Sequence, residues 1–301
     1  MAGNIRRAGL TKGILKYTKE ATDELLPLIR KILKELNVSY NDECCLDANL
    51  GYGGCEDCGQ PGPPGPEGPE GPMGSLTDAY HGAFIFDSAT TLTSATSPNS
   101  TAAIQVVSTS GFYAPGYMKI GAEIIGYTGI TATTFTGITR GVAGSSGATL
   151  HAIGAGVSQA QFTPANTPKQ VLLDQTNLSN GVTLNILTGD VTIVNAGVYN
   201  LQFSIQFENF SNNVEDAIVW FRLNGTDIPK SASYITTPTI HGGVPGATLM
   251  TVNLFYTFVA NDVVSLEWTS NQGKTAITSI PPVGSTIPQS PGVIFTVNRV
   301  A

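Results

Sequence analysis

Glycine recurs at every third position through Gly59, Gly62, Gly65, Gly68, Gly71 and Gly74, in the run GQPGPPGPEGPEGPMG, and proline fills most of the places between. Three chains in polyproline II conformation wind together only when the residue at the crowded axis has no side chain, so glycine must recur without a slip. A proline-rich linker has no reason to keep phase through six glycines. Residues 59–76 therefore predict a short triple helix and a homotrimer. At about 3.1 Å per residue the rod is only ~50 Å long. It holds Glu67 and Glu70 but no lysine or arginine, so its like charges go uncompensated along it. Such a rod needs trimeric domains at its ends.

The composition agrees with a mainly β chain. Only 12% of the 301 residues are charged, and Thr, Ser, Asn, Val and Ile dominate after the collagen-like segment. Residues 1–40 hold 8 Lys+Arg against 4 Asp+Glu, residues 41–76 hold 0 against 7, and residues 77–301 hold 7 against 11. The basic excess covers one leader rather than the face of a domain, which argues against nucleic-acid binding. No apolar run is long enough for a transmembrane helix. Lysines interrupt the segment GLTKGILKYTKE where a secretory signal would need an apolar core.

Residues 1–40 read as a helical leader for attachment or trimerisation. Leu25, Ile29, Ile32 and Leu36 step by four, three and four, which makes one face apolar. Pro27 removes a backbone donor and marks a break, with a second helix from about Pro27 to Asn37. All four cysteines then fall within residues 41–58, as Cys44, Cys45, Cys55 and Cys58. Two readings compete for them. Four thiolates at this spacing suit a zinc site, whereas disulfides within or between chains would lock three strands where the rod begins. Apart from that zinc, no cofactor is expected.

Residues 77–161 read as a small Thr/Gly-rich β-domain. The pattern aromatic-Thr-Gly-Ile-Thr occurs at Tyr127–Thr131 and again at Phe135–Thr139, which suggests a hairpin. Met118–Ile125 is a further strand candidate, and Gly141–Gly147 reads as a loop. Glu123 and Arg140 are its obvious charges and read as solvated or paired surface groups. The run GYMKIGAEIIGYTGITATTFTGITRG resembles a small domain of tailed-bacteriophage structural proteins, particularly marine and cyanobacterial ones.

Residues 162–301 show the clearest alternation. Tyr199, Leu201, Phe203, Ile205 and Phe207 share one face, and Asn200, Gln202, Ser204, Gln206 and Glu208 the other. Val219, Phe221 and Leu223 lead into Asn224-Gly225, a strong hairpin signal. Val252–Val259 followed by Asn261-Asp262 and then Val264, Leu266 and Trp268 reads as another hairpin. The chain closes on Val293, Phe295 and Val297. Eight to ten antiparallel strands in this length make a jelly-roll sandwich. The segments AGVYNLQFSIQF, FRLNGTDI and VANDVVSLEW, with a strand near the C-terminus, resemble the TNF-like and complement-type globular trimer domains. That resemblance implies a threefold head, often carried on a collagen-like stalk. No acidic cluster matches the calcium sites of that family.

Catalytic patterns do not emerge. His81, His151 and His241 lie far apart near Gly-rich sequence and read as surface or interface residues. No GxSxG or P-loop occurs, and Glu215 with Asp216 reads as loop charge. The chain is expected not to be an enzyme. The parts assemble into a trimeric phage fibre or spike on the virion. Its N-terminal leader would contact other virion proteins, and its C-terminal head would bind a host cell-surface glycan or protein. The loops Ser231–His241 and Ser279–Gln289 are candidate contact surfaces, with Tyr234 and His241 as candidate receptor-binding residues. Two alternatives stand beside this reading: a bacterial or spore-surface collagen-like adhesion protein, and a purely structural capsid, neck or tail component.

Replacing Gly68 by alanine in the full-length protein tests the rod. Circular dichroism is expected to show a lower-melting polyproline transition and an unchanged β-rich transition, since only the rod needs an axial glycine.

Overall fold

The computed structural model describes residues 79–282 and 286–301, and every regular element in them is a β-strand. The helical leader 1–40, the cysteine cluster 41–58 and the whole triple-helix segment 59–76, with all six of its phased glycines, lie outside the described residues; so do positions 77 and 78. No helix among the described residues is long and apolar enough to cross a membrane.

The strands fall into three groups along the chain. The first is β1 (His81–Phe86) alone. The second comprises β2 (Ala89–Thr91), β3 (Ile104–Gln105), β4 (Gly116–Ile120), β5 (Glu123–Tyr127), β6 (Gly129–Thr131), β7 (Thr134–Thr136), β8 (Thr139–Val142) and β9 (Gly156–Phe162). The third begins with β10 (Lys169–Gln170), β11 (Gln175–Asn180), β12 (Val182–Asn185), β13 (Asp190–Ile193), β14 (Gly197–Asn209) and β15 (Glu215–Leu223). It ends with β16 (Thr226–Asp227), β17 (Ser233–Thr237), β18 (Gly246–Phe258), β19 (Asp262–Ser270), β20 (Thr275–Thr278) and β21 (Val293–Arg299).

Two antiparallel sheets form a sandwich. In sheet 1, β11 pairs β1, β1 pairs β21, β21 pairs β14, and β14 pairs β18 along its other edge. In sheet 2 the order is β12-β13-β19-β15, with β16 and β17 on the far side of β15. The predicted alternation of β14 is realised: Tyr199, Leu201, Phe203, Ile205 and Phe207 are fully buried. They meet Val219, Phe221, Leu266 and Trp268 of sheet 2 in one core. Ring centroids lie 5.5 Å apart for Phe203 and Phe221, and 5.8 Å apart for Phe207 and Trp268. These tilted contacts contribute beyond area burial.

Strand pairing crosses the expected boundary at 161/162. His81–Phe86 pairs with β21 from His81↔Asn298 to Phe86↔Val293, and Phe84 and Phe86 lie in the sandwich core. The chain thus enters the sandwich before it makes the Thr/Gly-rich segment. That segment, Ala89–Phe162, is an insertion between β1 and β11. It returns through β9, which pairs with β20, so the insertion strands β9, β4, β5 and β8 prolong sheet 1. The insertion has its own core of Leu92, Ile104, Val106, Phe112, Met118, Ile125, Tyr127, Phe135 and neighbours. A smaller cluster joins Ile124, Ala143 and Ala160 of the insertion to Phe210 and Ala276 of the sandwich.

Turn chemistry explains where the local reading held and where it did not. The repeat forms a hairpin of β6 and β7, with Thr131 opposite Thr134. Asn224 and Gly225, at φ 49° and 78°, close the two-residue turn from β15 to β16, as paired positive φ angles favour. Met118–Ile125 is not one strand, because Gly121 at φ 59° reverses the chain between β4 and β5. Gly141–Gly147 is a loop only in part, since its first two residues finish β8. Val252–Trp268 is not a hairpin: β18 pairs β14 in sheet 1 whereas β19 belongs to sheet 2. Asn261, at φ 67°, carries the chain across, and the Asp262 carboxylate accepts the Val259 N–H at 2.8 Å.

Because β1 lies between two partners, a fragment of residues 163–301 is expected to bind hydrophobic dye and melt without cooperativity, whereas 79–301 melts cooperatively. Phe84→Ala in the longer fragment should cost about 3–5 kcal/mol in denaturant unfolding.

Candidate interaction surfaces

Alternation along each strand of sheet 1 sends one set of side chains to the core and leaves the other on the outer face. Register aligns the outer set in rows. One row holds Asn180, His81, Asn298, Asn200 and Phe255. The next holds Leu178, Ala83, Thr296, Gln202 and Asn253, and a third Gln175, Ile85, Ile294, Ser204 and Thr251. Gln206 and Leu249 form the start of a fourth. These rows contain no Asp, Glu, Lys or Arg. Phe255 is 60% exposed, Leu178 58% and Leu249 57%, with Ile294 at 40%. Where the insertion begins, the row changes: Glu208 is buried and accepts a hydrogen bond from Lys119 of β4 at 2.7 Å and one from Thr278 at 2.7 Å.

The outer face of sheet 2 is different in kind. Arg222 reaches Glu267 at 3.1 Å and Asp227 at 3.1 Å, and the Trp220 indole donates to Asp227. Gln170 donates to Asp190, and Thr236 donates to Asp216. Burial pushes the Glu267 carboxyl up, against the pull of Arg222, with Asp227 and Asp190 adding to the rise. This face is a polar, charged surface. The two outer faces of the sandwich thus differ in charge: sheet 1 is uncharged and partly apolar through its central rows, and sheet 2 carries a network of charged groups.

The structure places the candidate receptor residues apart. Ser231–His241 is not simply a loop, since Ser233–Thr237 is the edge strand β17 and Ser231 is buried, its hydroxyl donating to Ile228. Tyr234 projects from β17 opposite Ile218 and is 71% exposed. His241 is exposed and forms an isolated bridge with Val244 in the β17–β18 connection. No hydrogen bond joins Tyr234 to His241 among the described residues. In the second stretch, Ser279 is fully buried and Ile280 bridges Ser290. The candidate zinc or disulfide residues Cys44, Cys45, Cys55 and Cys58 fall outside the described residues.

Glu123 and Arg140 are paired, but the pair is buried rather than on the surface. Glu123 is 1% exposed and accepts from Arg140 Nε at 2.6 Å, Arg140 Nη2 at 2.7 Å and the Gly141 N–H at 3.1 Å. His151 is also buried, and its Nε2 lies 2.7 Å from Glu123 Oε2. Arg140 further donates to the Ser97 and Thr149 carbonyls, so the cluster ties two loops of the insertion to β5 and β8. Burial alone would raise the Glu123 carboxyl, but hydrogen bonds from Arg140 and His151, the Arg140 charge and the Gly141 N–H hold it below the ordinary value. Sequence spacing gave no sign that His151 joins the pair, because twenty-eight residues separate it from Glu123. Glu215 is likewise buried on β15, where it accepts from the Gln272 and Lys274 N–H groups and the Thr275 hydroxyl. These carboxylates are fully engaged in holding loops, and among the described residues no group of three acidic, His or Cys side chains is placed to hold a metal ion.

No protein-family model and no curated protein matches this chain.

The Glu123 cluster has a defined pH signature. Its folded carboxyl lies below the ordinary 4.5, so its contribution is complete above that value and is lost as pH falls through the lower folded one. Glu123→Gln leaves a buried guanidinium without its charge partner and is expected to cost about 3–5 kcal/mol at neutral pH. Melting curves should show the gap between the two proteins narrowing as pH drops below that ordinary value.

Proposed function

We propose that this protein is a trimeric fibre or spike of a phage particle, anchored through its N-terminal leader and presenting the β-sandwich outward for host-surface binding. The observation that carries the reading is the charge-free outer face of sheet 1, with Phe255, Leu178, Leu249 and Ile294 exposed on it. A face of this composition suits a second copy of the same chain, because it needs neither desolvated charge nor a charged counterpart. Around a threefold axis, one patch meeting a different patch of the next copy closes a ring. The glycine phase of residues 59–76 asks independently for three chains.

The strand order supports the jelly-roll form of the sandwich. The chain passes from β14 in sheet 1 to β15 and β17 in sheet 2, back to β18, across again to β19, and returns to β21. Alternation of this kind between facing sheets is the Greek-key winding of a double-sheet jelly roll. The role is structural and adhesive rather than enzymatic, in keeping with carboxylates that are consumed by loop hydrogen bonds. Three equal heads on one stalk raise avidity without strong single-site contacts.

An antibody against residues 79–301 tests the assignment by immunoelectron microscopy and adsorption assays. Label on projecting fibres of a particle, with cell adsorption blocked by the antibody, is the expected result. Labelled particles with undiminished adsorption would contradict the receptor role and leave a structural component. Label confined to bacterial or spore surfaces would contradict the virion assignment.

A further inference from the structure

We propose that the insertion carries a binding site for an acidic sugar unit, in the cleft beside Gly126. Gly126 is the fourth of five residues in β5, between Tyr117 on β4 and Thr139 on β8, where the β5–β8 pairing shifts register. Its φ is not in the left-handed region, so its own backbone conformation does not require glycine. A Cβ built there would lie 3.5 Å from Thr139 and 3.6 Å from Tyr117 and Val142, which is ordinary contact. Packing does not call for glycine either. A glycine inside a strand forfeits side-chain packing and backbone entropy, and it marks a bulge, a bend or the close approach of a ligand or another backbone; the register shift accounts for the bend, and the open space beside Gly126 admits a ligand.

Beside Gly126 lies a cleft of about 340 Å³, lined by Tyr117, Thr128, Thr139, Val142 and Lys169 among others. That volume lies within the range of small-ligand sites. Tyr117 is held edge-on by Phe162 at 5.3 Å between centroids, so its ring is a fixed wall. Lys169 reaches in from β10 with its Nζ 5.9 Å from the centre of that ring. It has no ion-pair partner among the described residues, unlike Lys119, Arg140 and Arg222. A rigid aromatic wall, two threonine hydroxyls and one unneutralised ammonium match a pyranose ring bearing a carboxylate. A peptide strand is disfavoured, because the backbone of β5 is already paired on both sides.

The proposal deepens the surface-binding reading and depends on it only for the sugar's source. The test is saturation-transfer NMR on the full-length protein with galacturonate, trigalacturonate and neutral galactose. Galacturonate is expected to bind saturably and at least about tenfold more tightly than galactose, a difference of about 1.4 kcal/mol. Lys169→Gln should abolish that preference, and Gly126→Ala should weaken both sugars while the melting temperature stays unchanged or rises. Trigalacturonate binding at least as well as the monomer assigns the unit to a polysaccharide; weaker binding assigns it to a free acid, and both keep the site. No saturable galacturonate signal, or an unchanged preference in Lys169→Gln, overturns it. Galacturonate binding in a protein whose antibody leaves cell adsorption intact would defeat the receptor role alone.

Discussion

The pairing of β1 with β21 is the contact on which the rest of the fold depends. It joins residues more than two hundred positions apart, from His81↔Asn298 to Phe86↔Val293, and it places Phe84 and Phe86 against Phe295 and the β14 side chains. Through it the insertion is held at both ends, by β1 on entry and by β9 against β20 on return. Loop closure of this length must be completed before the strand contacts repay it, so β1 and β21 are expected to join late in folding.

Much of the sandwich was legible because its strands keep a clean period of two. β14 alternates apolar and polar residues over most of its length, and its inward set is the set the structure buries. β1 escaped notice for the converse reason. In HGAFIF both faces are largely apolar, with Ala83 and Ile85 outward and Phe84 and Phe86 inward, so alternation is masked. The turn at Asn261 shows another limit. A positive-φ asparagine between two strands looks the same whether the strands pair or part into opposite sheets, and only the partners chosen by β14 and β19 decide it. The buried Glu123, Arg140 and His151 cluster was invisible because its members come from β5, β8 and a loop, and no local pattern brings them together.

The two outer faces of the sandwich differ in chemistry. Sheet 2 keeps its charge in solvent-facing networks around Arg222, Glu267 and Asp227. Sheet 1 offers amides, hydroxyls and four exposed apolar side chains, a composition that loses little on desolvation and gains from packing. The insertion stands beside this face without covering its central rows, since its contact with the outer surface begins at Glu208 and Lys119. The proposed assembly face and the proposed ligand cleft would thus occupy separate parts of one continuous sheet.

Self-association through the charge-free face of sheet 1 is the central claim, and the mass of the full-length protein in solution tests it most directly. Light scattering on the purified chain is expected to return the mass of three chains. The mass of a single chain would contradict both the association face and the triple helix that the glycine phase predicts.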